Sequence, residues 1–193
     1  MTATRSSSLL QNALQFGRLQ LADLAAVDTI EQASFPTPRT IAFYTRDISQ
    51  NRLGAYWAVR PVAEDGQLPA VLAYGGYWLP GDEAHILVIA THPSWRRQRL
   101  GEWLLLEMLA VVRRNSAQSA TLEVRHSNTA ARRFYSELDF VEVGLRKRYY
   151  QDTNEDAHLL TLFGLADEAV WPRLATRLGA LREQFLAPPP LRS

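Results

Sequence analysis

The chain contains no cysteine. That absence excludes disulfides, thiolate zinc sites, iron–sulfur clusters and a cysteine nucleophile. It has a single lysine, Lys147, so almost all of its positive charge is guanidinium, which suits planar contacts with phosphate. No apolar run approaches the ~18 residues that a membrane span requires, and residues 9–16 are interrupted by Gln11, Asn12 and Gln15, unlike a secretory signal. A cytoplasmic protein is expected, with no membrane partner. The four histidines, His85, His92, His126 and His158, lack metal-ligand spacing. No metal is therefore expected, and each reads as a surface or loop histidine. No internal repeat is visible.

What remains is the composition of a globular chain: 193 residues, 47% hydrophobic and 21% charged, enough for one domain that buries a core unaided. The net charge of +1 is unevenly spread. Residues 93–150 hold 11 basic and 6 acidic side chains, and the rest hold 10 and 14. A basic middle suits an anionic ligand, and an acidic remainder suits a basic substrate.

The hydrophobic periodicity predicts a mixed α and β fold. Residues 14–21 read as a strand, followed by a helix opened by Asp23 and closed by Phe35-Pro36-Thr37-Pro38. A short helix is expected over 41–48, then two strands, 56–62 and 70–78, joined as a hairpin by the turn-rich 63–67. The apolar run 84–91 reads as a central strand, and 97–115 as a helix apolar around most of its circumference, broken by Glu102, Glu107, Arg113 and Arg114. Residues 120–125 alternate as a strand, Asn128 caps a helix reaching about 138, and strands are expected over 141–150 and 157–163. A last helix carries Trp171, Leu174, Leu178, Leu181 and Phe185 on one stripe that is expected to dock on this domain, before Ala187-Pro188-Pro189-Pro190 ends it ahead of a disordered tail.

A central strand, an arginine-rich turn and a long helix bring unpaired backbone N–H groups and positive charge to one point, which is a phosphate-binding arrangement. Here the turn is Ser94-Trp95-Arg96-Arg97-Gln98-Arg99-Leu100-Gly101, in which Gly101 permits close backbone approach. On these residues alone, a solvated arginine face is the commoner reading.

The order of elements and motifs from about Leu19 to Phe163 resembles the GNAT superfamily of acetyl-CoA-dependent N-acetyltransferases. Its signature, Gln/Arg-x-x-Gly-x-Gly/Ala, is met by Arg96 and Gly101, while Arg99 stands where the family has its first glycine. Within the superfamily the chain looks most like the ribosomal-protein-alanine N-acetyltransferases of the RimI type. The resemblance rests on Ala33-Ser34-Phe35-Pro36-Thr37-Pro38, on Leu122-Glu123-Val124-Arg125-His126-Ser127-Asn128 with Ala130-Ala131, on Phe134-Tyr135 with Leu138 and Phe140, and on Arg148-Tyr149-Tyr150 before Asp156-Ala157. Asp139 replaces a second family glycine, at a helix end whose left-handed conformation aspartate tolerates.

The resemblance implies a central, mostly antiparallel sheet of six to seven strands with a parallel central pair, flanked by helices. It implies an extension over 1–18, an acetyltransferase domain over 19–165, and a C-terminal helix and tail over 166–193. Acetyl-CoA is the implied co-substrate, without a metal. Ile89, Ala90 and Thr91 would hold its pantetheine arm and acetyl carbonyl; Arg97, Gln98, Arg99, Leu100, Gly101 and Glu102 would form the phosphate turn; and Asn128 would hydrogen-bond it while capping its own helix. Glu123 is implied as general base and Tyr135 as general acid. An α-ammonium of pKa about 8 must lose a proton before it attacks a thioester, and the departing thiolate must gain one. Taken without the family, Glu123 is an ordinary solvent-facing carboxylate and Tyr135 a core aromatic. Phe35, Tyr149 and Tyr150 are placed beside the substrate. The implied partner is a protein N-terminus, that of a small-subunit ribosomal protein; direct nucleic-acid binding is not expected, and the oligomeric state is not implied. The alternatives are another protein N-terminus or small amine as substrate, or a noncatalytic module that binds acetyl-CoA, RNA or ribosome.

Overall fold

The expected strands assemble into one sheet. In a computed structural model of the protein, which describes residues 14–62 and 68–186, the strands are β1 (Leu14–Arg18), β2 (Gly54–Pro61), β3 (Ala73–Trp78), β4 (Glu83–Thr91), β5 (Ser119–Arg125), β6 (Val141–Tyr150) and β7 (Glu155–Leu162). They lie in the order β1-β2-β3-β4-β5-β7-β6, and the β4–β5 pair is parallel while the other neighbours are antiparallel. The expected fold class is observed. The predicted β2–β3 hairpin partners do pair, although the turn at 63–67 lies outside the described residues, as do residues 1–13, with most of the segment read as unlike a secretory signal, and the proline stop and tail after 186.

The helices are α1 (Leu24–Ser34), α2 (Ile41–Gln50), α3 (Leu100–Arg114), α4 (Thr129–Ser136) and α5 (Trp171–Phe185). Two local expectations shift. The first strand stops at Arg18 because Leu21–Asp23 forms a 3-10 turn, in which the Asp23 carboxylate accepts the Gln20 N–H at 2.6 Å. The 70–78 strand begins only at Ala73.

Apolar residues of α3 and α5 pack on one face of the sheet with Ile86, Leu122, Val124, Leu160 and Leu162. On the other face α1 and α2 pack with Tyr56, Tyr74, Val88 and Ala90. The α5 stripe docks on this same domain, with Leu174, Leu178, Leu181 and Phe185 buried. Glu102 and Glu107, which read as polar breaks in α3, are also buried, at 6% and 4% exposure. Burial is tolerated because each carboxylate is partnered: Glu102 by Arg99 and Arg177, and Glu107 by Trp103 Nε1 at 3.0 Å and a bidentate Arg182 at 2.7 and 2.6 Å. Both inter-helix pairs are 75 residues apart in sequence, so α5 runs parallel to α3.

One irregularity positions the site. Gly76 of β3 faces Val88 while its neighbour Tyr77 faces Ile86, so Leu87 is an extra residue, a bulge in β4. Pairing of β4 with β5 ends at Ile86 and Leu122. Beyond the bulge the two parallel strands separate. Arg39 secures the bulge by donating from Nη2 to the Leu87 carbonyl at 3.2 Å. Arg39 is itself tied to buried Glu31, which accepts its backbone N–H at 2.7 Å and the phenols of Tyr44, at 2.5 Å, and Tyr74.

Candidate active site

Where β4 and β5 part, a cavity of 630 Å³ opens. It is lined by Ile86–Ile89 of β4, Leu122–Arg125 of β5, Asn128, Ala131 and Tyr135 around α4, Phe35 and Arg39 from the loop after α1, and Tyr149–Asp152 from the end of β6. The fold thus brings Glu123, Tyr135, Asn128, Ile89, Phe35, Tyr149 and Tyr150 together, seven of the residues singled out from the sequence.

Strand alternation accounts for Glu123. Its neighbours Leu122 and Val124 are buried in the α3 face, which turns Glu123 toward the cavity. The carboxylate is not solvent-facing, since its side chain is 6% exposed. Oε2 lies 2.7 Å from Nε2 of His85, and Oε1 makes an ion-pair contact of 2.9 Å with Arg146 Nη1 that lacks hydrogen-bond alignment. Burial pushes its pKa up, but the His85 hydrogen bond, together with the charges of His85 and Arg146, outweighs burial and holds it below the usual 4.5. His85 moves the opposite way: the hydrogen bond to Glu123 raises it against the opposing effect of burial.

Tyr135 packs against Phe134, tilted, and Phe140, edge-on, at 5.1 and 5.5 Å between ring centres. Burial, with a smaller contribution from Tyr150, pushes its phenol above the usual value, so it stays protonated at any ordinary pH. Tyr150 is raised to about 12, chiefly by burial, and its hydroxyl donates to the Glu123 carbonyl at 3.4 Å. A carboxylate kept ionised and a phenol kept protonated on one cavity wall can accept one proton and donate another.

The cofactor residues divide. The carbonyls of Leu87 and Thr91 accept from Arg39 and Arg96, and two-residue alternation puts the polar backbone atoms of Ile89 between them on the edge left open by β5. Ala90 turns its backbone atoms the other way, toward Tyr74 of β3. Asn128 caps α4, its side chain accepting the Ala131 N–H at 3.1 Å, and lines the cavity as well.

The turn before α3 adopts left-handed backbone at both Arg97 and Arg99, φ 63° and 64°. Arg99 therefore occupies the conformation glycine would favour, and its guanidinium folds back on Glu102 with contacts of 2.8 and 3.0 Å. Arg96 is also committed, holding the Ala33 carbonyl at 3.1 Å and Ser34 Oγ at 2.9 Å. Gly101 brings the helix close to β4, because an added Cβ would lie 3.4 Å from Thr91 Oγ1. Gln98 Oε1 is buried without a hydrogen-bond partner among the described residues. Asp139 has φ 66°, as the glycine-like position requires.

Two features escaped the sequence. His85 and His158 are not loop residues: both sit on strands, His158 is buried and hydrogen-bonds His126 at 2.8 Å, and His85, half-buried, contacts Glu123. The signal for His85 was a lone polar side chain early in an apolar strand. The second feature is a tie across the cavity mouth. Asp152 accepts from Arg125 at 3.1 and 2.7 Å and from Thr37 at 3.2 Å, and the Arg125 guanidinium lies 3.9 Å from the centre of the Tyr150 ring. No group of metal-ligating side chains is present among the described residues, and no helix there is long and apolar enough to cross a membrane.

Comparison with known proteins agrees with this fold. The model of the acetyltransferase (GNAT) family matches residues 24–140. A Bacillus subtilis (strain 168) relative, provisionally named a ribosomal protein bS18-alanine N-acetyltransferase, is 33% identical over 142 residues, 74% of this chain and 90% of the relative. The ribosomal protein bS18-alanine N-acetyltransferase of Escherichia coli (strain K12) is 39% identical over 83 residues, 42% of this chain and 56% of that relative. The crystal structure of the ribosomal-protein-S18-alanine N-acetyltransferase from Escherichia coli superposes with a TM-score of 0.68 at 28% identity, covering 78% of this chain and 94% of that one. The chain belongs to the acetyltransferase (GNAT) family, and within it resembles the ribosomal-protein-alanine N-acetyltransferases.

Proposed function

We propose that the protein transfers acetyl from acetyl-CoA to the N-terminal α-amino group of a protein, that of a small-subunit ribosomal protein beginning with alanine. The observation that carries this reading is the buried Glu123 carboxylate sharing a cavity with the Tyr135 phenol where β4 and β5 separate. Family membership and the bS18-alanine activity in the names of the relatives supply the substrate class. When bound, acetyl-CoA supplies the acetyl group as a thioester, activated toward amines.

The residues present fit that group. Ile89 offers backbone polar atoms on the open strand edge, and Asn128 lies across the crevice from it. The first-turn N–H groups of α3, preceded by the left-handed Arg97 and Arg99, suit a pyrophosphate, with Gln98 and Gly101 beside them. Because the Arg99 guanidinium is engaged by Glu102, the turn binds through its backbone and through the unengaged charge around it.

Glu123 takes a proton from the substrate ammonium, directly or through a water, leaving the amine lone pair free to attack. Attack forms the N–C bond of a tetrahedral adduct; as its C–S bond breaks, Tyr135 supplies a proton to the departing sulfur, and the adduct nitrogen gives up its extra proton to the phenolate, directly or through water, leaving amide and thiol. Phe35, Tyr149 and Tyr150 bound the space for the first residues of the peptide, and the Thr37–Asp152–Arg125 tie holds their two loops together.

An assay with an alanine-starting ribosomal peptide beside peptides starting with other residues, and a small amine, tests the substrate. Acetylation of the small amine alone would overturn the assignment. Glu123→Gln is expected to lower kcat by about 100-fold or more, and Tyr135→Phe by a similar order, with acetyl-CoA affinity retained in both. Full turnover by either variant would remove that residue from the mechanism.

A further inference from the structure

The base proposed above does not stand alone, and the inference that follows rests on that assignment. His85 lies one residue before the last β4–β5 pair, matched with Trp78 of β3 and Thr121 of β5, so strand pairing on both sides fixes its backbone at the closed end of the crevice. Its ring reaches Glu123 Oε2 at 2.7 Å while keeping its side chain 31% exposed, against 6% for the carboxylate. Of the two, His85 is the one that exchanges protons readily with solvent.

We infer that His85 is a positioning residue for the base. Its Nε2–H orients and holds Glu123 ionised, and a second proton gained at Nδ1 turns the pair into an ion pair that no longer accepts the substrate proton. In the neutral state one N–H bond points at Oε2, Arg146 balances the carboxylate charge from β6, and Glu123 still has lone pairs for an incoming ammonium. In the protonated state a full positive charge sits one hydrogen bond from the carboxylate. A cation so close lowers carboxylate basicity further.

The other groups around His85 do not take over this role. Arg146 opposes its protonation, and Glu83, earlier on β4, favours it. Thr121 is bonded to Thr161 at 2.9 Å, Trp78 carries no titrating group, and the Tyr150 phenol is directed to the Glu123 backbone and ionises only near 12. Hydrogen bonding to Glu123 raises the His85 pKa above that of an ordinary imidazole, so the switch is the titration of this one ring.

The test compares kcat/KM for an alanine-starting peptide across about pH 5.5 to 8.5 in the wild-type protein, His85→Gln and His85→Leu. Glutamine keeps an N–H donor at the same reach but does not titrate. Dividing variant by wild type at each pH cancels the ionisation of the substrate amine. The Gln-to-wild-type ratio is expected to rise about tenfold toward the acid end, because only the wild type switches off there. His85→Leu, which leaves Oε2 without a donor, is expected to lower kcat about tenfold at high pH with little change in KM.

A ratio independent of pH would overturn the inference. An NMR titration of His85 supplies a readout independent of turnover: its pKa should fall in Glu123→Gln, and an unchanged value would also overturn it. If Glu123→Gln itself keeps turnover, the base assignment is what fails. If that variant is inactive and the ratio is flat, only the role of His85 is lost.

Discussion

Arg99 stands where a glycine is expected and adopts the backbone of one, and this makes a sharp prediction about sign. At φ 64° an L side chain costs about 1–2 kcal/mol relative to glycine, and glycine returns about 0.4–1 kcal/mol through its freer unfolded chain. Arg99→Gly and Arg99→Ala both delete the guanidinium, so the lost contact with Glu102 cancels between them. Glycine should therefore be the more stable variant by about 0.5–1 kcal/mol, or roughly 1–4 °C in Tm for a chain of this size. At a right-handed helical position the order reverses, with alanine ahead by about 1 kcal/mol. Paired thermal melts decide it, and an alanine variant melting at or above the glycine variant refutes a left-handed Arg99. The same pair tests the phosphate turn by calorimetry. Because the guanidinium is engaged by Glu102, both variants should bind acetyl-CoA within about threefold of wild type; a tenfold loss, about 1.4 kcal/mol, would put the arginine on the phosphates.

Leu178→Ala empties a fully packed position between α5 and α3 and should destabilise by about 2–5 kcal/mol in urea unfolding; a change within experimental error would mean that α5 is not docked there. Glu102 links stability to pH. Burial raises its pKa, but Arg99 and Arg177 together hold it below 4.5, so its stabilisation is present above that unfolded-state value and is lost as pH falls through the lower folded value. Glu102→Gln should thus melt lower than wild type at neutral pH, with the gap closing below about pH 4.5; a gap that stays constant into acid would contradict the linkage. Thr37→Val cuts one of the ties across the cavity mouth and should raise the peptide KM more than it changes kcat, since Thr37 lies away from Glu123 and Tyr135 in the tie to Asp152; an effect confined to kcat would show the tie acting on the chemistry instead.

Short-range signals made most of the fold legible. The run 84–91, the apolar circumference of α3 and the alternation over 120–125 each specify an element through its own period, and the observed boundaries differ by only a few residues. Glu123, Asn128 and Tyr135 were singled out through the family resemblance rather than from their own pattern; the structure brings them to one cavity because strand, cap and helix follow one another within 13 residues, which needs little long-range information. What stayed hidden depends on register. Leu87 is an unremarkable residue in an apolar run, and its bulge exists only because Gly76 and Tyr77 of β3 select Val88 and Ile86 as partners. Nothing local marks where β4 and β5 must part. His85 is hidden for the same reason: it meets Glu123, 38 residues away, only after the parallel register has set His85 against Thr121.

Glu102 and Glu107 misled in the opposite direction. A carboxylate in a helix normally marks the solvated face, and only partners 75 residues downstream make its burial affordable. The clue was nevertheless in the chain, because Arg177 and Arg182 repeat the five-residue spacing of Glu102 and Glu107. Matched charge spacing allows the two helices to dock in register in either direction, and the pairs that form, Glu102 with Arg177 and Glu107 with Arg182, make it parallel. This docking also places α5 behind the turn that precedes α3, where Arg177 shares Glu102 with Arg99. The last helix therefore braces, from behind, the turn proposed to bind phosphate, and if that proposal holds, loosening α5 should reach the cofactor through Glu102 before it reaches Glu123.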